Sequence, residues 1–268
     1  MDFTLKTYNR LLTALRNQDY AFQPFAEYLQ QPADKAVILR HDVEKRYKNA
    51  LAIARLQHAR GIRGTYYFRI INGKLQHDII KEIAALGHEI GYHYDDFSHC
   101  NGDHEAAIQR FERHLTMLRE IAPVKTICME GAPLSKHDNR DLWKHYDYRN
   151  YGIIGEPYFD VDFTRVFYLT DTGRRWDGVK VSVRDKVVTS KQYAVRSKKE
   201  EGALKTRSTK DIIRAVEAGR VPGQIMITIH PQRWTDKPLP WLWELVWQNA
   251  KNAVKRVLVG RRTERRKV

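Results

Sequence analysis

Cysteine is scarce in this sequence: only Cys100 and Cys128 occur among 268 residues. So few cysteines exclude a disulfide framework and suit a reducing compartment. Apolar runs long enough to cross a bilayer are also absent, and the first twenty residues lack the basic, apolar and small-residue order of a secretory signal. These absences predict a cytoplasmic protein.

Positive charge, by contrast, is abundant. The chain has 47 Lys and Arg against 32 Asp and Glu, a formal net charge of +15, which makes a nucleic-acid-binding protein one hypothesis. Much of the excess lies in two basic runs, at 191–210 and 251–268, and such runs are typical of solvated loops and tails. This distribution argues against nucleic acid as a partner. The remaining chain, with 42% hydrophobic residues overall, is expected to be globular.

Strand patterns alternate with amphipathic helix patterns along most of the chain. Strands are predicted at 35–39, 65–70, 88–93, 125–129, 152–154, 166–169 and 225–230, and helices lie between them. One helix is predicted to begin at a capping box formed by Ser208 and Asp211. The alternation indicates βαβ units and a parallel α/β sheet, open or closed into a barrel. We expect an N-terminal helical segment over 1–35, the α/β domain over 36–235 and a C-terminal helix with a basic tail over 236–268.

Polar side chains follow three of the predicted strands. Asp42, His93 and His230 each come directly after an apolar run. Because the carboxyl ends of parallel strands lie on one face of the sheet, we expect these three side chains to converge. One carboxylate and two imidazoles suit a divalent metal such as Zn²⁺, or acid–base catalysis.

Four stretches carry a resemblance to a known family. VILRHDVE (37–44), GTYYF (64–68), GHEIGYH (87–93) and MITIH (226–230) resemble, in order and spacing, motifs of the polysaccharide deacetylases with the NodB-homology fold. The resemblance implies a distorted (β/α)7-type barrel over 36–235. It also implies a divalent metal cofactor and removal of acyl groups from carbohydrates.

The motif matches assign the metal ligands only in part. Asp42 takes the ligand place of the family's T-F-D-D-G motif, and His93 takes the place of the first ligand histidine. The second histidine position is occupied by Phe97, which cannot bind a metal. The resemblance leaves three nearby side chains as substitutes: Asp95, Asp96 and His99.

The proposed catalytic groups also depart from the family pattern. His41 stands where the family has its catalytic base, and an imidazole can perform that task. Glu130 lies in a replaced third motif and is a candidate catalytic group. His230 matches the histidine that protonates the leaving group. Candidate substrate-binding residues in or near the remaining loops are Glu44, Glu156, Asp171, Arg174 and Trp176.

These matches predict a metal-dependent hydrolase of amide or ester bonds, acting on an acylated carbohydrate or glycan precursor, with an altered metal centre. Zn²⁺ is the expected metal, bound weakly or absent. A non-catalytic carbohydrate-binding relative is one alternative, and a basic nucleic-acid-binding protein is another.

Tryptophan and basic residues mark the C-terminal segment. Trp243 and Trp247 lie on one face of a predicted helix, with bases on another. Two interpretations remain open. The helix packs its apolar face on the barrel, or it lies at an anionic membrane surface, which places the protein at the inner face of the membrane.

Overall fold

The computed structural model describes residues 1–132, 135–176 and 206–265. Part of the basic run at 191–210 therefore lies outside the described residues, as do positions 266–268, and the side chains of the tail are described only up to Asn252. The elements, in chain order, are α1 (Leu5–Asn17), β1 (Ala21–Phe22), α2 (Phe25–Gln30), β2 (Ala36–Val43), α3 (Tyr47–His58), β3 (Thr65–Phe68), α4 (His77–Ala85), β4 (Glu89–Tyr94), α5 (Asp96–His99), α6 (His104–Arg119), β5 (Val124–Met129), α7 (Pro157–Asp160), β6 (Phe167–Thr170), α8 (Thr209–Glu217), β7 (Gln224–Ile229) and α9 (Pro238–Arg265).

The chain divides into two compact units. The central unit comprises Phe22–Ala33 and Ile38–Val161, and the terminal unit comprises Met1–Ala21, Asp34–Val37 and Asp162–Val268. Strand β2 begins in the terminal unit and continues in the central unit. The domain boundaries predicted from the sequence stay a prediction.

The central unit is built on a parallel sheet in the order β5-β4-β3-β2. All residues of β2 and β3 are buried, as expected for strands covered on both faces. Helix α6 begins at Asp103, whose side chain accepts a hydrogen bond from Ala106 N. Its apolar face, including Phe111 and Leu115, is buried. The parallel strands place the side chains that follow β2, β4 and β5 at one edge of this sheet.

The terminal unit contains the parallel pair β6 and β7, with Leu169 in register with Ile227. The predicted capping box is confirmed: the Ser208 hydroxyl accepts from Asp211 N, and the Asp211 carboxylate accepts from Ser208 N. Helices α1 and α8 contact each other, and the core side chains of α1 are fully buried.

Parallel strands with intervening helices confirm the predicted α/β class and are the elements of a distorted (β/α)7-type barrel. The strand predicted at 152–154 is wrong. Gly152, at φ 69°, ends a short 3-10 helix instead, and the strand-like pairing is limited to a bridge between Thr126 and Gly155. A left-handed residue breaks the extended conformation that a strand needs.

Helix α9 is oriented with its polar face inward. Glu244, Gln248 and Asn252 are buried, and Asn252 Nδ2 donates to Gly173 O at 2.8 Å. The opposite, apolar face is exposed over five side chains: Leu239, Leu242, Trp243, Val246 and Trp247. Among the described residues, helices combining the length and the apolar composition of a bilayer span are absent.

Candidate metal centre and active site

Two residues of the GHEIGYH stretch support the backbone. The His88 ring accepts from Gly64 N at Nδ1 (3.1 Å), so its Nε2–H donates to Ala54 O (3.0 Å). Burial lowers the pKa of His88 to about 4. Glu89 accepts hydrogen bonds from Ala26 N and from the hydroxyl groups of Thr65 and Thr126.

The second glycine of the stretch permits a close approach of an aromatic ring. Tyr67 on β3 crosses Gly91 on β4, and its hydroxyl group lies 3.0 Å from Thr126 Oγ1. A Cβ atom at Gly91 would overlap two carbon atoms of the Tyr67 ring. Packing against Tyr67 therefore requires the glycine. Backbone conformation does not, since Gly91 has no positive φ.

The last residue of the stretch, His93, joins a buried cluster of polar side chains at the strand ends. His93 Nδ1 lies 2.9 Å from the carbonyl oxygen of Cys128, so this nitrogen carries a proton and donates. His93 Nε2 lies 3.1 Å from Glu130 Oε2 and 3.8 Å from Asp42 Oδ2. Asp42 and His93, two of the three side chains expected to converge, thus lie together, and Glu130 joins them. His230 belongs to the terminal unit, and its convergence with them stays a prediction.

The charges of this cluster depend on one another. Burial opposes the imidazolium form of His93, but the carboxylates of Asp42 and Glu130 outweigh it and hold the pKa of His93 well above its usual value. Burial would raise the pKa of Glu130, yet His93 and Arg69 more than offset that effect and lower it. Glu130 is therefore an ionised carboxylate, 12% exposed, whose buried Oε2 makes no hydrogen bond of good geometry within the described residues.

A group able to hold a metal lies in the same cluster. The ligand atoms of Asp42, His93 and Cys128 lie within 4.8 Å of one another, and all three residues are buried. Burial raises the pKa of the Cys128 thiol to about 11. One carboxylate, one imidazole and one sulfur form a donor set that suits Zn²⁺.

Arg40 is an unexpected neighbour of this group. Its guanidinium donates from Nε and Nη2 to the two oxygens of Asp42, at 2.8 and 2.6 Å, and both side chains are buried. A carboxylate offers about four lone-pair sites, so this fork does not by itself use all of them. Arg40 does, however, supply a positive charge where the resemblance implies a metal.

The predicted substitutes for the missing histidine have other partners. Asp95 is paired with Arg69 at 2.6 Å and with Arg110 at 2.8 Å, and these arginines outweigh burial and lower its pKa. Asp96 accepts from Arg110 and from Tyr92, while burial raises its pKa to about 7. His99 ends the short helix α5 and is exposed.

Phe97 belongs to an aromatic contact group. Its side chain is buried, and its ring lies 4.5 Å from the His104 ring and 5.5 Å from the His137 ring between centroids. The position that holds the family's second ligand histidine therefore serves packing in this chain.

His41 lies on the opposite face of β2 from Asp42, because neighbouring residues of a strand alternate. Its ring stacks on Tyr66, with centroids 4.1 Å apart, and is fully buried. The two ring nitrogens lie 3.0 Å from Thr65 O and 3.0 Å from Gln57 Nε2. The catalytic role expected of His41 stays a prediction.

Two candidate substrate residues of the central unit differ in environment. Glu156 is fully buried and accepts from the backbone N–H groups of Met129 and Tyr158. Burial raises its pKa to about 7. Glu44 follows β2 and is half-buried.

The terminal unit has its own histidine–carboxylate pair. Asp171 Oδ1 lies 2.6 Å from His230 Nδ1 and 2.6 Å from Arg233 Nη1, and Asp171 Oδ2 accepts from Trp234 Nε1 at 2.7 Å. Burial would raise the pKa of Asp171, but Arg233 and His230 outweigh it and lower the pKa. The carboxylate holds the His230 ring in one orientation. The substrate-binding role expected of Asp171 stays a prediction.

The other candidate substrate residues of this unit have partners within it. Trp176 is buried, stacks with Phe3 and donates from Nε1 to Thr209 Oγ1 at 2.9 Å. Arg174 donates to Trp241 O at 2.8 Å and lies over the Trp241 ring.

Sequence reasoning missed Cys128 and Arg40. Cys128 lies inside an apolar strand and reads as a core residue, but it stands two residues before Glu130, which directly follows β5, and alternate residues of extended chain lie on the same face. Arg40 has the same two-residue relation to Asp42 on β2. The signal in the sequence is therefore spacing: a polar or sulfur-containing residue two positions from a recognised site residue on a strand shares its face.

Comparisons with known proteins give a likeness to solved structures. No family model matches the sequence, and no curated protein matches it. A solved structure of a Streptococcus mutans CE4 esterase is similar to this chain, and the alignment covers 86% of this chain and 88% of the esterase chain. The two sequences are 15% identical, and the TM-score is 0.42.

Proposed function

We propose that the protein is a hydrolase that removes an acetyl-type acyl group from a carbohydrate or glycan precursor. The observation that carries this proposal is the buried cluster of Asp42, His93 and Glu130 at the ends of β2, β4 and β5. Ionised carboxylates and an imidazole that are held together and shielded from water can act as general acids and bases in the hydrolysis of acyl groups.

The cluster fits a divalent metal, with Zn²⁺ favoured. His93 donates its Nδ1 proton to a backbone carbonyl, the usual arrangement of a ligating histidine, which presents Nε2 as the ligand atom. Asp42 and His93 would hold the ion. When bound, such a metal polarises a carbonyl group and lowers the pKa of water.

The protein's own residues would move the protons. Glu130, an ionised carboxylate beside His93, is the group best suited to accept a proton from the attacking water. Arg69 lies 3.9 Å from Glu130 and helps to keep it ionised. Within the terminal unit, Asp171 orients the His230 ring. The proton donation to the leaving group that the family resemblance implies for His230 stays a prediction.

One observation favours a second candidate, a non-catalytic carbohydrate-binding relative. Arg40 already neutralises Asp42 through two short hydrogen bonds. A cluster whose charges are balanced by the chain itself can persist without a metal and without catalysis.

The test is acetate release from N-acetylglucosamine oligomers and from acetylated xylan, with protein purified without a metal-affinity tag. Asp42→Asn, which keeps the shape of the side chain and one acceptor for Arg40, should reduce acetate release to background. Glu130→Gln should lower the rate by about 10²- to 10⁴-fold if Glu130 is the base. Asp78→Asn, on the exposed side of α4, is the matched control and should retain the wild-type rate.

Three outcomes are distinct. Unchanged acetate release by a folded Asp42→Asn protein would reject the proposed site. Binding of these sugars without turnover, with and without added Zn²⁺, would establish the non-catalytic relative. Loss of acetate release in both Asp42→Asn and Asp78→Asn would point to a general loss of folding, which thermal denaturation measures.

We also propose that α9 docks on an anionic membrane surface. Its exposed apolar face carries two tryptophans. Residues 251–268 contain eight basic residues and a single acidic one. Aromatic and aliphatic side chains with flanking bases favour the headgroup region of anionic bilayers. Such docking would bring the enzyme close to lipid-linked glycan precursors.

A further inference from the structure

We infer that Cys128 is the third protein ligand of the metal, and that its sulfur replaces the histidine absent at position 97. This inference deepens the proposed function, because it concerns the metal of the same site. It assigns a ligand set of one carboxylate, one imidazole and one thiolate to Asp42, His93 and Cys128.

Strand pairing sets the position of the sulfur. His93 on β4 is the register partner of Cys128 on β5, so their side chains leave the sheet side by side on one face. Asp42 reaches the same place from β2, and the three ligand atoms lie within 4.8 Å of one another. Zn–S and Zn–N bonds of about 2.3 and 2.0 Å require ligand atoms somewhat closer than this limit.

The alternatives predicted from the sequence are less suitable. Asp95 and Asp96 each accept from arginine within 3 Å, and His99 is exposed at the end of a short helix. Moving Asp95 to a metal would break its pairs with Arg69 and Arg110, and moving Asp96 would break its pair with Arg110 and its hydrogen bond from Tyr92. Cys128 has no ion pair to lose among the described residues.

A thiolate also suits the charges around it. Arg40 already neutralises much of the negative charge of Asp42. A dication at this place therefore gains from a second anionic ligand, and a coordinated thiol binds as the thiolate. The sulfur makes the site soft, so it should prefer Zn²⁺, Co²⁺ and Cd²⁺ to Mg²⁺ and Ca²⁺.

The test is titration of the metal-free, full-length protein with Co²⁺, followed by absorption spectroscopy. Thiolate coordination should produce a sulfur-to-cobalt charge-transfer band in the near ultraviolet, beside intense visible bands of tetrahedral Co²⁺. Cys128→Ser, nearly equal in size, should lose the charge-transfer band. Cys100→Ser is the matched control, because Cys100 is half-buried on another element, and it should keep the band.

The outcomes separate this inference from the proposed function. Visible Co²⁺ bands without a charge-transfer band, or a band that survives in Cys128→Ser, would overturn the thiolate ligand and leave the hydrolase proposal standing. Absence of Co²⁺ and Zn²⁺ binding by the wild-type protein would also overturn it. A charge-transfer band that depends on Cys128, without acetate release from any acetylated sugar, would support the ligand and reject the hydrolase.

Discussion

At the scale of single residues, the members of the GHEIGYH stretch differ in what they contact. His88, Glu89 and Gly91 hold neighbouring strands and helices in place, and His93 is the residue of this stretch in the group that could hold a metal. Supporting residues fix where the ligand lies, so the motif resembles that of a family even where other ligands differ. Substitutions at the supporting positions should affect stability, and those at His93 should affect metal binding.

His88 should make stability depend on pH. Its folded-state pKa of about 4 lies below the unfolded value of 6.5, because the ring is buried and neutral. Protonation therefore favours unfolding: the contribution of His88 is complete above pH 6.5 and is lost as the pH falls towards 4. The loss is roughly 3 kcal/mol at 1.36 kcal/mol per pKa unit. Urea unfolding between pH 7 and pH 4 measures it.

The control for this prediction is His88→Gln, which can still donate and accept hydrogen bonds but does not titrate. Carboxylates elsewhere contribute equally to both proteins, so the difference between their free energies of unfolding isolates His88. That difference should shrink as the pH falls. Parallel pH profiles would show that the imidazole is not the sensitive group.

Gly91→Ala should destabilise the central unit. The added methyl group overlaps the Tyr67 ring, which is fully buried and bonded to Thr126. Overpacking of this kind costs about 1–3 kcal/mol. Thermal or urea denaturation measures the change.

A double-mutant cycle identifies the cause of that change. In a Tyr67→Leu background the ring is gone, so Gly91→Ala should cost clearly less than in the wild-type protein. An equal cost in both backgrounds would assign the effect to the nearby carbonyl oxygen of Thr126, which lies 3.0 Å from the added methyl position.

At the scale of helices and strands, much of the architecture is predictable from periodicity. Between the strands predicted at 35–39 and 65–70, apolar positions repeat at helical spacing, and the structure has a helix there, Tyr47–His58. The orientation of α9 is not predictable in this way. An apolar stripe normally turns inward, but here the buried face carries Gln248, which donates to Asn252, and Asn252, which donates to Gly173 O. The sequence shows the apolar stripe, but it does not show which face of the helix finds hydrogen-bond partners in the rest of the chain.

The exposed stripe of α9 should bind membranes. The double variant Trp243→Ser/Trp247→Ser removes two large side chains that are 63% and 51% exposed. Both lie on the face opposite the buried polar face of the helix. Flotation with vesicles of phosphatidylglycerol and phosphatidylcholine should carry the wild-type protein upward at low salt. The double variant should remain with the unbound protein.

Two comparisons complete the vesicle experiment. Asn249→Ser alters an exposed polar side chain of the same helix, so it leaves the apolar stripe intact and the variant should still float. Vesicles of phosphatidylcholine alone should bind less, because the bases then lack an anionic surface. Equal behaviour of the wild-type and double-tryptophan proteins would reject membrane docking.

At the scale of the whole molecule, the sequence predicts the site only where topology forces neighbours together. Asp42 and His93 meet because parallel strands end at a common edge. The partners of Asp95 and Asp96 were not foreseen, because Arg69 and Arg110 come from a loop and from α6, and strand patterns do not say where such side chains reach. A ligand set therefore needs three-dimensional neighbours as well as motifs.

The division into units has a consequence for synthesis on the ribosome. The central unit comes mostly from one continuous stretch, Ile38–Val161, and can form early. The terminal unit needs Met1–Ala21 together with residues from Asp162 onward. At about 5–20 residues per second, α1 emerges many seconds before its partner α8. During that interval the face bearing Tyr8, Leu11 and Leu15, buried in the finished protein, has to remain uncovered or be sheltered by a chaperone.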